Sequence, residues 1–153
     1  MLIEVYTDGS ATTAEKPGGY GYVVCVNGVK VHEGSGHLLK ATNNVAEVTA
    51  AIRGLTYVAT TDVPGISSGA EDAPGDGTRV VLISDSQLTL NWATGNYRCK
   101  QWHLIPLVIE LRKIFIKLNA ETRWVKGHNG DEHNERCDVL AGEARQDPTR
   151  ADS

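Results

Sequence analysis

Residues 79–84 read RVVLIS, with an unbroken apolar run over 80–83 rich in β-branched side chains. Such a run suits a strand buried on both faces, since an open face would place a polar residue at every second position. A doubly buried strand needs cover above and below, which means helices packed on both faces of a sheet. The chain has 153 residues, enough for one domain with a substantial core and too few for two comfortable ones. A domain over 1–146 followed by a disordered tail at 147–153 is the expectation.

The rest of the chain fills in that sheet. Residues 2–7 (LIEVYT) alternate as a strand does, and Asp8-Gly9-Ser10 offers turn chemistry to stop it. Residues 20–26 and 30–39 flank Asn27-Gly28, the signature of a hairpin. From Val45 the apolar positions 45, 48, 52, 55 and 58 or 59 follow helical spacing. Residues 60–77 are rich in Gly, Ser, Asp and Pro and read as a long flexible loop. A short helix is expected from near Ser86. A longer one is expected over about 103–118, with Leu104, Leu107, Val108, Leu111, Ile114, Phe115 and Leu118 on one stripe and Pro106 in its first turn. Residues 121–125 give a last strand, and 134–145 a last helix with Cys137, Leu140, Ala141 and Ala144 turned inward. Three strands followed by alternating helices and strands predict an α/β fold: a five-stranded mixed sheet with an antiparallel meander, parallel βαβ units and helices on both faces.

Composition narrows the class. The chain is 41% hydrophobic and 22% charged, with no apolar run near membrane-spanning length. Its first residues carry an acid and no basic leader, so a cytoplasmic protein is expected. Cys25, Cys99 and Cys137 are odd in number and widely spaced, which fits reduced thiols. The formal charge of −4 gives no whole-chain pull on nucleic acid, so such a partner must be held by a local basic patch or through cations.

Four acids carry the chemistry, and each also has a structural explanation. Asp8 suits a turn. Glu47 lies three residues after Asn44, like the glutamate of a capping box. Asp85 suits a helix N-cap. Asp138 suits the first turn of the last helix, where a carboxylate favours the dipole. Together they mean something else. Two are placed at strand ends and two at helix starts, and ligands on such sheets sit beyond the carboxyl ends of the strands. Four carboxylates at one mouth repel and raise one another's pKa unless cations neutralise them. Hard oxygen donors suit Mg²⁺ or Mn²⁺, with remaining ligands from water and phosphate. Two metals about 4 Å apart suit in-line displacement at a phosphodiester.

His128, His133 and Cys137 offer a competing zinc set spaced H-x4-H-x3-C. No fourth Cys or His lies nearby, and Cys137 occupies an inward helix position, so this set is the weaker reading. His128, between Gly127 and Asn129-Gly130, sits on a loop suited to proton transfer or product release, with an exposed loop histidine as the plain alternative.

YTDGS at 6–10, TNNVAE at 42–47, SDSQ at 84–87 and WVKGHNGDEHNERCDVLA at 124–141 resemble, in order and over nearly the whole chain, the type 1 ribonuclease H family. The resemblance implies an endonuclease that cuts the RNA strand of RNA/DNA hybrids with two Mg²⁺ ions, leaving 3'-hydroxyl and 5'-phosphate ends. By motif, Asp8 would bridge both metals, Glu47 and Asp85 would complete the site beside the leaving group, and Asp138 the site holding the attacking water. Glu135 matches an acidic position near that second metal, with a solvated helix residue as an equal reading, and His128 matches the family's mobile histidine. Gly9, Ser10, Asn43, Asn44 and Gln87 match positions along the hybrid's minor groove, where the 2'-hydroxyl distinguishes RNA from DNA. Thr42 matches a grip on a DNA-strand phosphate, although helix capping explains Thr42, Asn43 or Asn44 equally. A monomer is expected.

Two departures stand out. Where many bacterial members carry a lysine-rich protrusion, this chain has ATGNYRCKQW, with Arg98 and Lys100 as its cations. The acidic loop at 60–77 is unconnected to the chemistry, and no separate hybrid-binding module is expected at either end. Other readings are a DNA nuclease of the same architecture, a non-cleaving hybrid-binding module, and a structural domain with fortuitous motifs.

Overall fold

Residues 1–61, 77–127 and 130–150 are described in a computed structural model of the chain. β1 (Leu2–Ser10) pairs antiparallel with β2 (Gly18–Val26), which pairs antiparallel with β3 (Val29–Leu38). Between β2 and β3, Asn27 and Gly28 both have positive φ, 49° and 83°, the tight hairpin turn that this dipeptide favours. β1 does not stop at Asp8: it continues to Ser10, because Asp8, Gly9 and Ser10 keep ladder partners in Gly21, Tyr20 and Gly19. Pairing across the sheet overrides the local turn preference of Asp-Gly-Ser.

α1 (Asn43–Thr60) begins two residues before Val45, because Thr42 caps it: the Val45 N–H donates to Thr42 Oγ1 at 3.2 Å. β4 (Arg79–Ser84) returns parallel to β1. α2 (Gln87–Thr94) follows, ending at Gly95 with φ 84°. α3 (Ile105–Lys117) starts later than expected, with Leu104 at its cap and Pro106 in the first turn. β5 (Glu121–Trp124) adds parallel to β4, and α4 (Glu132–Gln146) closes the fold. α4 begins two residues earlier than its apolar pattern indicates, because Asp131 Oδ1 accepts the Asn134 N–H at 2.9 Å.

The sheet order is β3-β2-β1-β4-β5, five strands of mixed direction with helices on both faces, as the sequence predicts. β4 shows why its run is unbroken. Val80 and Leu82 enter the core with Val5, Tyr20, Val48, Leu55 and Leu111, on the side of α1 and α3. Val81 and Ile83 enter the opposite core with Tyr6, Val23, Cys137 and Leu140 of α4. Each fully buried Leu or Ile contributes roughly 1.5–3 kcal/mol of transfer free energy.

Cys25, Cys99 and Cys137 are free thiols. Among the described residues no helix is long and apolar enough to cross a membrane. Of the segment expected as a tail, residues 147–150 are described, and Arg150 Nη1 donates to Ser35 Oγ of β3 at 3.0 Å. The expectation for the 60–77 loop falls, apart from its ends, outside the described residues.

Candidate active site

Asp8 is the third-last residue of β1 and only 5% exposed. The next residue, Gly9, shares its N–H between Asp8 Oδ1 and Glu47 Oε1, each at 2.9 Å. This contact needs glycine: a Cβ on Gly9 would lie 2.5 Å from the Glu47 nitrogen and from the Ala46 carbonyl carbon. β1 therefore meets α1 backbone to backbone, and Glu47 is delivered beside Asp8. Glu47 is 4% exposed, and its Oε2 has no hydrogen-bond partner among the described residues. Its resemblance to a capping-box glutamate does not hold, because Thr42 is the cap and Glu47 lies beyond the first turn, turned onto Gly9.

Asp85 leaves the end of β4. It is not the cap of α2: Ser86 is, with Oγ accepting the Thr89 N–H at 3.2 Å. Freed from capping, the Asp85 side chain turns to the other acids. Its backbone is pinned from β5, where Trp124 Nε1 donates to the Asp85 carbonyl at 3.1 Å. Gly127 packs so closely that a Cβ there would lie 2.7 Å from Asp85 Oδ2.

Asp8, Glu47 and Asp85 each offer a carboxylate oxygen, all within 4.8 Å of one another. Asp138 stands outside this trio on α4, close enough for its charge to act on Asp8. It lies past the first turn of α4, which begins at Glu132, so dipole stabilisation does not account for it. Burial, and then the charges of Asp85 and Asp138, push Asp8 up to about 7, against the lowering pull of the Glu47 and Gly9 hydrogen bonds. Burial and the facing Asp8 hold Glu47 well above the ordinary carboxylate range. Three acids crowded this way, with one oxygen unsatisfied, are placed to receive a cation.

The other described positions singled out in the sequence neighbour these acids along the chain. Gly9 and Ser10 end β1, Thr42, Asn43 and Asn44 start α1, and Gln87 starts α2. Asn43 and Gln87 are exposed, and Thr42 and Asn44 half-buried. Glu135 is exposed on α4. His128 lies outside the described residues. Of the zinc alternative, His133 packs against the Tyr6 ring at 5.0 Å between centroids, and Cys137 is fully buried. Burial pushes the Cys137 thiol well up, the wrong direction for a thiolate ligand. Trp124 and Gly127, which hold Asp85 in place, carry no local sign of that role in the sequence, where both stand inside the WVKGH run.

Comparison with known proteins gives the same picture. Residues 2–146 match the family model described as RNase H. A ribonuclease H of Vibrio cholerae is 32% identical over 98% of this chain and 92% of its own length. One from a Shewanella strain is 33% identical over 99% of this chain and 94% of its own. Among solved structures, RNase H1 of the archaeon Halobacterium salinarum superposes with a TM-score of 0.74, at 27% identity over 94% of this chain and 97% of that one. LC11-RNase H1, solved in complex with an RNA/DNA hybrid, gives 0.75 at 27% identity over 94% and 96%. With the family matched from the first strand to the last helix, the chain belongs to the ribonuclease H family and is a type 1 ribonuclease H.

Proposed function

We propose that this enzyme hydrolyses the RNA strand of RNA/DNA hybrids in the cytoplasm as a monomer, using two Mg²⁺ ions, for which Mn²⁺ can substitute, and leaving 5'-phosphate and 3'-hydroxyl ends. The observation that carries the reading is the trio Asp8, Glu47 and Asp85, with oxygens within 4.8 Å and a buried, unpartnered Glu47 Oε2. A donor set made only of carboxylates, with no thiol or imidazole among its described members, fits hard divalent cations. The similarity to a ribonuclease H solved on an RNA/DNA hybrid supports the choice of substrate.

In this reading Asp8 would contribute to both ions, Glu47 and Asp85 would hold the one on the leaving-group side, and Asp138 would hold the one on the water side. When bound, the ions supply an activated water and stabilisation of the leaving oxygen in an in-line displacement. The chain's part is to hold these acids rigidly and to orient the substrate. The Gly9 N–H fixes two of the carboxylates, and the Trp124 indole fixes the backbone of the third. Thr42 Oγ1 accepts from the Val45 N–H, which leaves its own proton free to donate to a phosphate. In this reading Gly9, Ser10, Asn43, Asn44 and Gln87 would contact ribose hydroxyls in the hybrid's minor groove. His128 serves proton transfer or product departure in this reading.

Purified protein incubated with labelled hybrid, duplex DNA and duplex RNA, with and without Mg²⁺, tests the proposal. Cleavage confined to the RNA of the hybrid, dependent on Mg²⁺ and lost in Asp8→Asn, is the expected result. Cleavage of duplex DNA alone, or none of any substrate, would reject it.

A further inference from the structure

Lys16 and Arg145, together with Thr12, Pro17 and Gln146, line a pocket of about 260 Å³ beyond the end of β1. Two contacts fix its place. Gly19 pairs with Ser10 across the ladder, and a Cβ on Gly19 would lie 2.5 Å from the Arg145 nitrogen, so Arg145 rests on the strand pair at Ser10. The Lys16 carbonyl accepts the Ala41 N–H at 3.1 Å, so the turn carrying Lys16 lies beside the residue that precedes Thr42. The pocket therefore adjoins Ser10 on one side and approaches Thr42 on the other, two positions assigned above to the hybrid. Along α4, Arg145 follows Asp138 by two helical turns, roughly 10 Å. That span is on the order of three base steps of a duplex.

The charges point the same way. Glu15, which shares the turn with Lys16, reaches Lys40 at 3.7 Å, and Glu143 and Asp147 both reach Arg150 at 3.9 Å. Each acid near the pocket is thus drawn to a cation other than Lys16 or Arg145. Among the described residues those two make no ion pair, whereas Arg79, Arg123 and Arg136 are each matched with a glutamate. Unpaired surface cations are ordinarily just solvated. Here they come from opposite ends of the chain and share one cavity, in a chain of net charge −4.

We propose that Lys16 and Arg145 form a subsite for a backbone phosphate of the hybrid, on the order of three base steps from the scissile bond. It supplies a grip that the short connection between α2 and α3 does not. The inference rests on the hybrid-cleaving reading and extends it.

The test measures binding of a labelled hybrid to Asp85→Asn protein in Mg²⁺, with and without Lys16→Gln and Arg145→Gln. The added pair should weaken binding about three- to tenfold and lower the slope of log affinity against log salt by about 1. Hybrids carrying one neutral methylphosphonate, walked along each strand, should reveal a position that weakens the Asp85→Asn protein but leaves the triple variant unaffected. Lys16→Arg with Arg145→Lys should preserve the slope, and matching thermal midpoints should show that the fold is intact. Cleavage of hybrid by the wild type, with equal affinity and slope in both binding proteins, would overturn the subsite and leave the parent reading standing. Failure of the wild type to cleave hybrid would remove both.

Discussion

Gly9 and Glu47 meet without a side chain between them: the Gly9 N–H reaches Glu47 Oε1 at 2.9 Å, and there is no room for even a methyl group on Gly9. Gly9→Ala must separate β1 from α1 and carry Glu47 away from Asp8. We expect a loss of about 1–3 kcal/mol in stability, as for other overpacked positions. Displacement of a catalytic group by about 1 Å costs on the order of 10²-fold in rate. Urea unfolding and initial rates on hybrid, measured on the same preparation, check both numbers. Wild-type rates in a destabilised protein would show that Glu47 placement is irrelevant to turnover.

Asp85→Asn removes one charge from the trio while keeping its shape. In metal-free buffer this relieves repulsion on Asp8 and Glu47, so the thermal midpoint should rise. Hybrid cleavage should fall by about 10²-fold or more, since even the outer partners of metal ligands cost about 10–100-fold. The stabilisation that Mg²⁺ gives the wild type should shrink as well. Calorimetry with EDTA and then with Mg²⁺ separates these effects, and an unchanged Mg²⁺ response would remove Asp85 from the ligand set.

The buried pair also predicts how stability varies with pH. Asp8 is raised from an ordinary value of 3.8 to about 7, so its folded form holds a proton more tightly than the unfolded chain does. A raised carboxylate contributes its full stability below the unfolded pKa near 4 and loses it as pH rises to the folded value near 7. Glu33, lowered to about 2 by its bidentate Arg136, runs the other way and is lost only as pH falls from about 4 towards 2. Without metal, Asp8→Asn should therefore gain stability relative to the wild type between pH 4 and 8. Mg²⁺ should close that gap at pH 8. Thermal midpoints of the two proteins across this range, with and without EDTA, decide the matter.

Thr42 is assigned two duties, capping α1 and donating to a phosphate, and substitutions separate them. Thr42→Ala loses the cap and should cost about 1 kcal/mol. Thr42→Asp keeps a good cap and places a negative charge where the phosphate should lie. It should unfold like the wild type and bind hybrid several-fold more weakly, with the largest difference at low salt. Equal affinity of Thr42→Asp and wild type would leave Thr42 with capping alone.

The architecture was readable because it rests on patterns each element carries for itself: the alternation of β1, the Asn27-Gly28 turn, the doubly buried β4 and the apolar stripe of α3. The boundaries were harder, because they depend on partners far along the chain. β1 outruns its turn residues only because β2 offers Gly19, Tyr20 and Gly21 as partners. The same holds for the acids. Nothing local to Asp85 says that Ser86, and not the aspartate, caps α2, nor that Trp124 pins its carbonyl. The meeting of Asp8 with Glu47 is encoded in a missing side chain at Gly9, and sequence patterning registers what is present more readily than what is absent.

Where α4 crosses β2, the Gly19 and Gly21 positions bring main chain against main chain, with a Cβ on Gly21 only 2.8 Å from the Cys137 carbonyl. No rotamer cushions that seam, so the gap between α4 and β2, whose Gly21 is the ladder partner of Asp8, is set largely by the radii of backbone atoms. Drift among valine, leucine and isoleucine elsewhere in the interior would then erode thermal tolerance well before it altered this spacing, and the geometry of the carboxylates can outlast wide divergence in the core that supports them.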